Sequence, residues 1–444
     1  MCPRSMADAA LSPAVAGIDF GTSNSVFALA DGRKGIRFAE YPLLGSLTSS
    51  FRSLLFFDIE EQEPLDPIVY DAGPEGIEAY LEALGDGRVI QSFKTHLTAE
   101  GLGRTRIGPH SLDLEGLVAL FLKRMRVRSE SSLGTPLRRA VFGRPVRFAG
   151  AADEADDERA EARLRAAAKL AGFEEVHVEL EPIAAAFHYE SKLERDEVAM
   201  IADFGAGTTD FCVMRIGPSR REASERDEDV VVTGGLGVAG DDLDAAIIQN
   251  VVAPKLGKGT LYREFGRELL IPPSYYHKLS HWHQLSFLRG ERTRADLERL
   301  QQFADEPDAI GHLMAIIEDN QGFHLHKSVE AAKVALSSAT RAEFVYEHED
   351  FTIRAPIERA DFESWIDDSV QAIVSELDAT LARAGLGPTD VDRVFMTGGT
   401  AFVPCVRAEF AKRFGEAKLS SGDELSSIAA GLAAKAQRLG RRPS

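Results

Sequence analysis

The chain has 444 residues, carries a formal net charge of −19 and contains three cysteines. Its length is enough for roughly two to four domains, and it has no apolar run of about eighteen residues that could cross a membrane. The acidic charge argues against a nucleic-acid backbone or an anionic membrane as the main partner. Cys2, Cys212 and Cys405 lie far apart in the sequence, which excludes a disulfide framework and fits a reducing cytoplasm.

Strand-like and helix-like segments alternate along the chain, which predicts an α/β architecture. In the first half, the patterns predict strands at 14–20, 24–30, 138–146 and 176–180, and helices over 114–130, 153–171 and 182–190. The helix over 153–171 starts with acidic residues and ends at Lys169 before Gly172. This order suits the helix dipole and a glycine at the C-terminal end.

The second half continues with two strand-like runs around residues 197–217 and a charged stretch over 218–229 that we interpret as an exposed loop. Residues 254–328 are predicted to form a mostly helical insertion, and apolar spacing predicts one helix over 362–385. A strand with a glycine turn follows in "VDRVFMTGGTAFVP", and a small-residue helix is expected over 426–439.

The histidine pairs of the insertion lie in helix-like sequence. His277 and His281 are one helical turn apart, but no cysteine or carboxylate lies at ligand spacing. We therefore interpret them as part of a packed or surface helix rather than a metal site, and His324 and His326 in the same way.

One sequence pattern occurs twice in the chain. It consists of an apolar strand, a turn that contains an acidic residue, glycine and hydroxyl residues, and a second strand. The copies are "GIDFGTSNS" at 17–25 and "ADFGAGTTDF" at 202–211. A repeat of this kind often reports a duplicated domain. Backbone N–H groups in a glycine turn can form an anion-binding nest, and Gly21 and Gly205 would let a phosphate approach the backbone.

Asp19 and Asp203 end the first strand of each copy, where a bare carboxylate would repel phosphate. Their positions make sense if a magnesium ion lies between carboxylate and phosphate, commonly through water. For either copy alone, an ordinary hairpin turn is the alternative; the matched spacing of the two copies favours phosphate binding. A protein kinase also contains "DFG", but only after a glycine-rich loop, a strand lysine and "HRD". This chain has no "HRD", which excludes that reading.

Six motifs resemble, in their order, those of the actin-like ATPase superfamily, which includes actin, sugar kinases and the seventy-kilodalton heat-shock chaperones. They are "GIDFGTSNS", "ELEPIAAAFHYE" (179–190), "ADFGAGTTDF", "GVAGDDLDAAI" (237–247), "VEAAKVALSSA" (329–339) and "VFMTGGTAFVP" (394–404). They are most similar to the heat-shock protein 70 branch, and within it to the YegD-like group of shortened relatives. The resemblance implies two duplicated actin-like (ribonuclease H-like) α/β lobes around a nucleotide cleft. Lobe I would span 14–200, with an insertion at about 50–113, and lobe II 201–438, with an insertion at about 241–328.

Position by position, the resemblance implies a site for ATP or ADP and Mg²⁺. Asp19 and Asp203 would hold the hydrated magnesium. Lys94 would meet the γ-phosphate and the attacking water, and Glu181 would orient that water or a magnesium-bound water. Thr208 and Asp203 would complete the catalytic group. The remaining nucleotide contacts would come from Gly21, Thr22, Ser23, Gly205, Gly207, Gly240 and Asp241 around the phosphates, and from Glu330, Lys333, Ser337, Gly398, Gly399 and Phe402 around the nucleoside.

Three positions depart from the chaperone pattern. Asn24 stands where an aromatic residue is usual, Val334 where a basic residue often stacks on adenine, and Phe402 where an arginine covers the other adenine face. An aromatic ring can still stack on a base, so these departures bear on nucleotide preference.

The resemblance implies an ATP-binding, magnesium-dependent ATPase with a chaperone-like role and a protein client or co-chaperone as partner. Because the chain ends soon after the last ATPase-lobe helix, we expect no β-rich peptide-binding domain. The alternatives are a small-molecule, sugar-type kinase of the same superfamily and a nucleotide-dependent regulator that does not hydrolyse ATP.

Overall fold

The computed structural model describes residues 14–31, 35–83, 87–101, 103–190, 193–220, 227–264, 266–281, 284–285, 288–319, 321–421 and 426–440. Cys2 and the middle of the predicted loop over 218–229 lie outside these ranges. Within these ranges, no helix combines the length and the apolar character needed to cross a bilayer.

The first half of the chain is rich in strands and contains four helices among its described residues. The strands are β1 (Val15–Asp19), β2 (Asn24–Asp31), β3 (Gly35–Phe38), β4 (Tyr41–Leu43), β5 (Ser46–Thr48), β6 (Ser50–Arg52), β7 (Leu54–Phe57), β8 (Asp71–Ala72), β9 (Arg88–Gln91), β10 (Thr105–Ile107), β11 (His110–Leu112), β12 (Arg139–Arg144) and β13 (Glu175–Leu180). The helices are α1 (Gly73–Glu82), α2 (Leu114–Leu133), α3 (Glu154–Leu170) and α4 (Glu181–Glu190).

The second half contains longer helical stretches. Its strands are β14 (Glu197–Phe204), β15 (Thr209–Ile216), β16 (Val230–Leu236), β17 (Leu261–Glu264), β18 (Arg267–Leu270), β19 (Arg341–Glu347), β20 (Thr352–Glu358), β21 (Arg393–Thr397) and β22 (Leu419–Ser421). Its helices are α5 (Gly240–Ile247), α6 (Ala253–Lys255), α7 (Pro273–Ser280), α8 (Glu291–Phe303), α9 (Pro307–Glu318), α10 (Gly322–Ser338), α11 (Arg359–Trp365), α12 (Asp367–Arg383), α13 (Pro404–Phe414) and α14 (Ser427–Gly440).

Two sheets repeat the same strand order. The first runs β3-β2-β1-β12-β13, with β6 also paired to β2, and the second runs β16-β15-β14-β21-β22. In each sheet the first strand in sequence pairs antiparallel with its hairpin partner and parallel with a strand much later in the chain. The duplication predicted from the repeated turn is therefore confirmed at the level of sheet topology.

Two helices connect the sheets and pack closely against each other. α4 leads from β13 toward β14, and α14 follows β22 and returns to pack on α4, β1 and β2. A Cβ added at Gly431 of α14 would overlap the carbonyl oxygen of Ala184 in α4. Because β14 begins before residue 201 and α14 packs on the first sheet, we propose that lobe I comprises 14–196 with 427–440, and lobe II 197–421.

Local signals account for several helix ends. Asp153 accepts a hydrogen bond from the Asp156 amide at 3.1 Å at the start of α3, and Gly172 adopts φ +92° after its end, as the charge order predicted. The single helix predicted over 362–385 is wrong, since the structure has two helices, α11 and α12. Asp367 and Asp368 form a new first turn, where the helix dipole favours acidic side chains.

The region over 254–328 is mostly helical, as predicted, but it also contains the hairpin of β17 and β18. All four residues of β18 are exposed. The hairpin therefore shows no alternation of buried and exposed residues, which is the signal that identifies strands in sequence.

The aromatic residue of each "DFG" anchors its turn in the core of its own lobe. Phe20 is fully buried, with ring centroids 6.1 Å from Phe93 and 5.8 Å from Phe121. Phe204 is equally buried and lies 5.7 Å from Phe410. Packing of these rings in the core of each lobe therefore fixes the strand ends that carry Asp19 and Asp203.

Candidate functional site

The two repeated turns face each other across a cavity of about 260 Å³. A Cβ added at Gly207 of the second turn would lie 3.7 Å from Oγ1 of Thr22 in the first. The lining includes every residue predicted for the site except Ser337 and Phe402. These lining residues are Asp19, Gly21, Thr22, Ser23, Lys94, Glu181, Asp203, Gly205, Gly207, Thr208, Gly240, Asp241, Glu330, Lys333, Gly398 and Gly399.

The first turn is held by a buried serine, Ser53, which lies between β6 and β7. Ser53 Oγ donates to the carbonyl of Gly21 at 2.7 Å, and the Ser53 amide donates to the carbonyl of Ser23 at 2.9 Å. A side chain at Gly21 would overlap the carbonyl oxygen of Asn24, so only glycine fits this turn. Asn24 itself accepts a hydrogen bond from Ser50 Oγ at 2.9 Å, which ties β2 to β6.

The second turn is held by backbone contacts from two other segments. The Gly205 amide donates to the carbonyl of Thr208 at 2.9 Å and closes the turn, and the Asp241 amide donates to the carbonyl of Ala206 at 2.8 Å. Gly398 has φ +88°, and a side chain there would overlap the carbonyl oxygen of Phe204. The glycine turn after β21 therefore packs directly against the end of the strand that carries Asp203.

Lys94 and Glu181 form a buried ion pair at the base of the cleft. Lys94 Nζ donates to Glu181 Oε1 at 2.7 Å, and the two residues are only 7% and 5% exposed. Glu181 begins α4, and the absence of a side chain at Gly143 leaves the space that its side chain occupies. Lys94 lies on a single 3₁₀ turn after Ser92, which adopts the left-handed conformation with φ +51°.

Further buried carboxylates near this ion pair give the site more potential negative charge than positive charge. Burial, with the charge of Glu181, raises the pKa of Asp19 to about 7 and that of Asp210 to about 7. Burial and the charges of Glu181, Asp210 and Asp19 raise the pKa of Asp203 well above its usual value. Burial alone lowers the pKa of Lys94, but Glu181 and Asp19 outweigh that effect, and the net direction is upward. The site is therefore short of positive charge.

The donor set fits a divalent cation that keeps part of its water shell. Asp19 and Asp203 bring two carboxylates to the lining of the cavity, whereas Asp210 lies outside that lining and accepts a hydrogen bond from the Val146 amide at 2.9 Å through Oδ1. In the part of the chain that the structure describes, no three His, Cys, Asp or Glu side chains converge as a direct ligand set. Carboxylate oxygens that share an ion with several waters are typical of Mg²⁺.

The opposite wall of the cleft is formed by α10. Lys333 Nζ lies 2.8 Å from Asp244 Oδ1 of α5, and Glu330 Oε2 lies 3.9 Å from Arg52 Nη1 of β6, on the other lobe. Ser337 instead donates its hydroxyl to the carbonyl of Lys333 at 3.2 Å. Phe402 does not line the cleft, and its side chain is 52% exposed.

Two family models match parts of the chain. Residues 314–441 match the model described as Hsp70 protein, and residues 149–254 match the model described as MreB/Mbl protein. Both families are members of the actin-like ATPase superfamily. The two matches support the assignment of the chain to the actin-like ATPase superfamily. The matched segments contain the second turn and α10, while the first turn and Lys94 lie outside them.

Members of the actin-like ATPase superfamily bind nucleotide with a divalent metal. Sequence reasoning missed Arg52, Ser53 and Asp244, which line the cleft, and Asp210, whose charge raises the pKa of Asp203. Asp210 lies in the second motif itself, so its acidic position was available as a signal. Asp244 follows Asp241 by one helical turn in the motif over 237–247. Arg52 and Ser53 had no signal, because their segment reaches the cleft only through the pairing of β6 with β2.

Proposed function

We propose that this protein is a magnesium-dependent ATP hydrolase of the heat-shock protein 70 type, with a chaperone-like role. The observation that carries the proposal is the pair of facing glycine-hydroxyl turns with a buried Lys94–Glu181 pair between them. The match of residues 314–441 to the Hsp70 model supports this branch of the superfamily.

In the proposed reaction, the chain binds the triphosphate from two sides. Thr22 and Ser23 donate from the first turn and Thr208 from the second, so the phosphates bridge the lobes. Lys94 Nζ offsets charge on the γ-phosphate. Asp19 and Asp203 would hold a hydrated magnesium ion, which supplies further charge neutralisation at the phosphates.

In this proposal, Glu181 would orient the attacking water. Its Oε1 is engaged by Lys94 at 2.7 Å, and its other oxygen would accept a hydrogen bond from the water. Catalysis would then rest on positioning and electrostatics, as in other phosphoryl transfers that use little covalent chemistry. The fixed position of α4, packed against α14, links this carboxylate to the connection between the lobes.

The proposed output is a change in lobe closure that a protein client or co-chaperone would sense. The contact between Arg52 of β6 and Glu330 of α10 spans the two lobes at 3.9 Å. Both residues line the nucleotide cleft. Loss of the γ-phosphate would therefore remove a bridge between the same two walls.

Phosphate release tests the proposal against its alternatives. It should be measured with ATP and Mg²⁺ alone, with a panel of sugars, and with unfolded peptides. Free phosphate without added sugar supports the ATPase, and stimulation by peptide supports the chaperone-like role. ADP formation that requires a sugar and yields no free phosphate would identify a small-molecule kinase. Tight nucleotide binding without turnover would identify a non-hydrolysing regulator.

An aspartate variant tests the metal assignment directly. We expect Asp203→Ala to lose magnesium-dependent nucleotide binding, measured by calorimetry with and without a chelator. Asp361→Ala, an exposed aspartate on α11, is the matched control and should bind as the unmodified protein does. Unchanged magnesium dependence in Asp203→Ala would refute the assignment.

A further inference from the structure

A second cavity, of about 370 Å³, lies between the two lobes beside the phosphate cleft. One wall is apolar and comes from lobe I, including Ile77 and Tyr80 of α1. The facing wall comes from lobe II, including Ile316 and Ile317 of α9 and Phe323 of α10. A volume of this size lies in the range of cavities that bind small organic molecules, roughly 300–1,000 Å³.

The second cavity shares a thin wall with the phosphate cleft. Gln91, the last residue of β9, lines both cavities. The 3₁₀ turn that follows is also shared, since Phe93 and His96 line the apolar cavity and Lys94 lines the phosphate cleft. A molecule in the apolar cavity would therefore contact the same short segment that positions Lys94.

Two arginines give this apolar cavity a positive edge. Arg88 of β9 and Arg289, just before α8, line it from opposite lobes. Burial lowers the pKa of Arg88, and the like charge of Arg289 nearby lowers it further. Arg88 also donates through Nη1 to the carbonyl of Arg106, which fixes the direction of its guanidinium.

We propose that this interlobe cavity binds an amphipathic monocarboxylate. The apolar body packs between the walls formed by Ile77, Tyr80, Ile317 and Phe323. The carboxylate pairs with the guanidinium groups of Arg88 and Arg289, which match a carboxylate in geometry and charge. An apolar pocket with a few convergent polar groups is the usual form of a site for such a ligand.

The proposed ligand contacts both lobes, so it would favour the arrangement in which they lie close together. The nucleotide cleft is formed by the same two lobes. Linkage then requires that carboxylate and nucleotide each strengthen the binding of the other. The site would act as a regulatory site for the nucleotide cleft.

Calorimetric titration of the full chain with decanoate, without nucleotide, tests the binding site itself. We expect saturable binding of one decanoate per chain, and decanol, which lacks the charge, to bind at least about tenfold more weakly. Arg88→Met and Arg289→Met should each weaken decanoate binding by about tenfold or more. Arg88→Lys, which keeps the charge, should recover part of the affinity. Arg263→Met, on an exposed arginine of β17, is the matched control and should bind normally.

Three results would overturn the proposal: equal affinity for decanol and decanoate, non-saturable binding, or Arg88→Met and Arg289→Met variants that bind like Arg263→Met. A second titration, of Mg-ADP with and without saturating decanoate, tests the coupling. Tighter ADP binding in the presence of decanoate is expected, and an unchanged ADP affinity would overturn the regulatory role. The decanoate titration contains no nucleotide, so it remains informative even if the proposed ATPase function fails.

Discussion

Replacing the two partners of the Lys94–Glu181 pair should have unequal effects on stability. Lys94 Nζ lies 2.7 Å from Glu181 Oε1, and both side chains are buried. Besides burial, the charge of Glu181 does more than any other nearby charge to raise the pKa of Asp19, Asp203 and Asp210. Lys94 is the positive charge that opposes this effect at Asp19 and Asp203.

The magnitudes follow from what each change leaves behind. Lys94→Met leaves Glu181 buried without its partner among like charges, and removal of one partner of a buried pair costs about 3–5 kcal/mol. Glu181→Gln leaves Lys94 beside Asp19 and removes repulsion from three aspartates. We therefore expect the Gln variant to lose less than about 1 kcal/mol of unfolding free energy, or to gain some.

Urea denaturation of the ligand-free protein at about pH 8 measures both values. The expected result is a gap of about 2 kcal/mol or more between the two variants. Arg294→Met is the control, since its ion pair with Glu298 on α8 is exposed and should contribute less than about 1 kcal/mol. Both cleft variants should lose ATP turnover. Glu181→Gln would therefore lose catalysis while keeping most of its unfolding free energy. Equal destabilisation by the two cleft variants would refute the reasoning about surplus negative charge.

Three further predictions concern pH, the connection between the lobes and the nucleoside. Burial and Glu181 raise the pKa of Asp210 from 3.8 to about 7, so the folded state holds a proton that the unfolded chain releases. The unfolding free energy of the ligand-free protein should therefore fall as pH rises from about 4 to about 7, by up to the order of 4 kcal/mol from this group; a urea series that shows the opposite slope would contradict this. Gly431→Ala should lower the melting temperature by the equivalent of about 1–3 kcal/mol, because the added methyl would overlap the Ala184 carbonyl; an unchanged melting temperature would exclude the close helix contact. Phe402 lies outside the residues that line the cleft, so Phe402→Ala should leave ADP binding as unchanged as Phe303→Ala, at an exposed position of α8, does in the same calorimetric titration; a loss of affinity would instead support the predicted stacking on the base.

The repeated turns show how far sequence reasoning reached. The matched "DFG" spacing predicted the duplication, and both sheets repeat one strand order. Ser337 and Phe402 were predicted to contact the nucleoside, but neither lines the cleft. Helical spacing places Ser337 on the face of Glu330, yet it cannot tell how far along that face the cleft extends.

Local sequence by itself determined the glycine turns, the helix caps and the acidic strand ends, because backbone geometry and helix dipoles depend on residues close in the chain. Only the tertiary structure decided which distant side chains meet. Lys94 and Glu181 are 87 residues apart, and Arg52 reaches Glu330 through strand pairing and lobe packing. The surplus of carboxylates at the base of the cleft is likewise a property of this convergence. The pKa values of these carboxylates are raised because folding buries them together, so that burial and mutual repulsion act on groups that lie apart in the sequence.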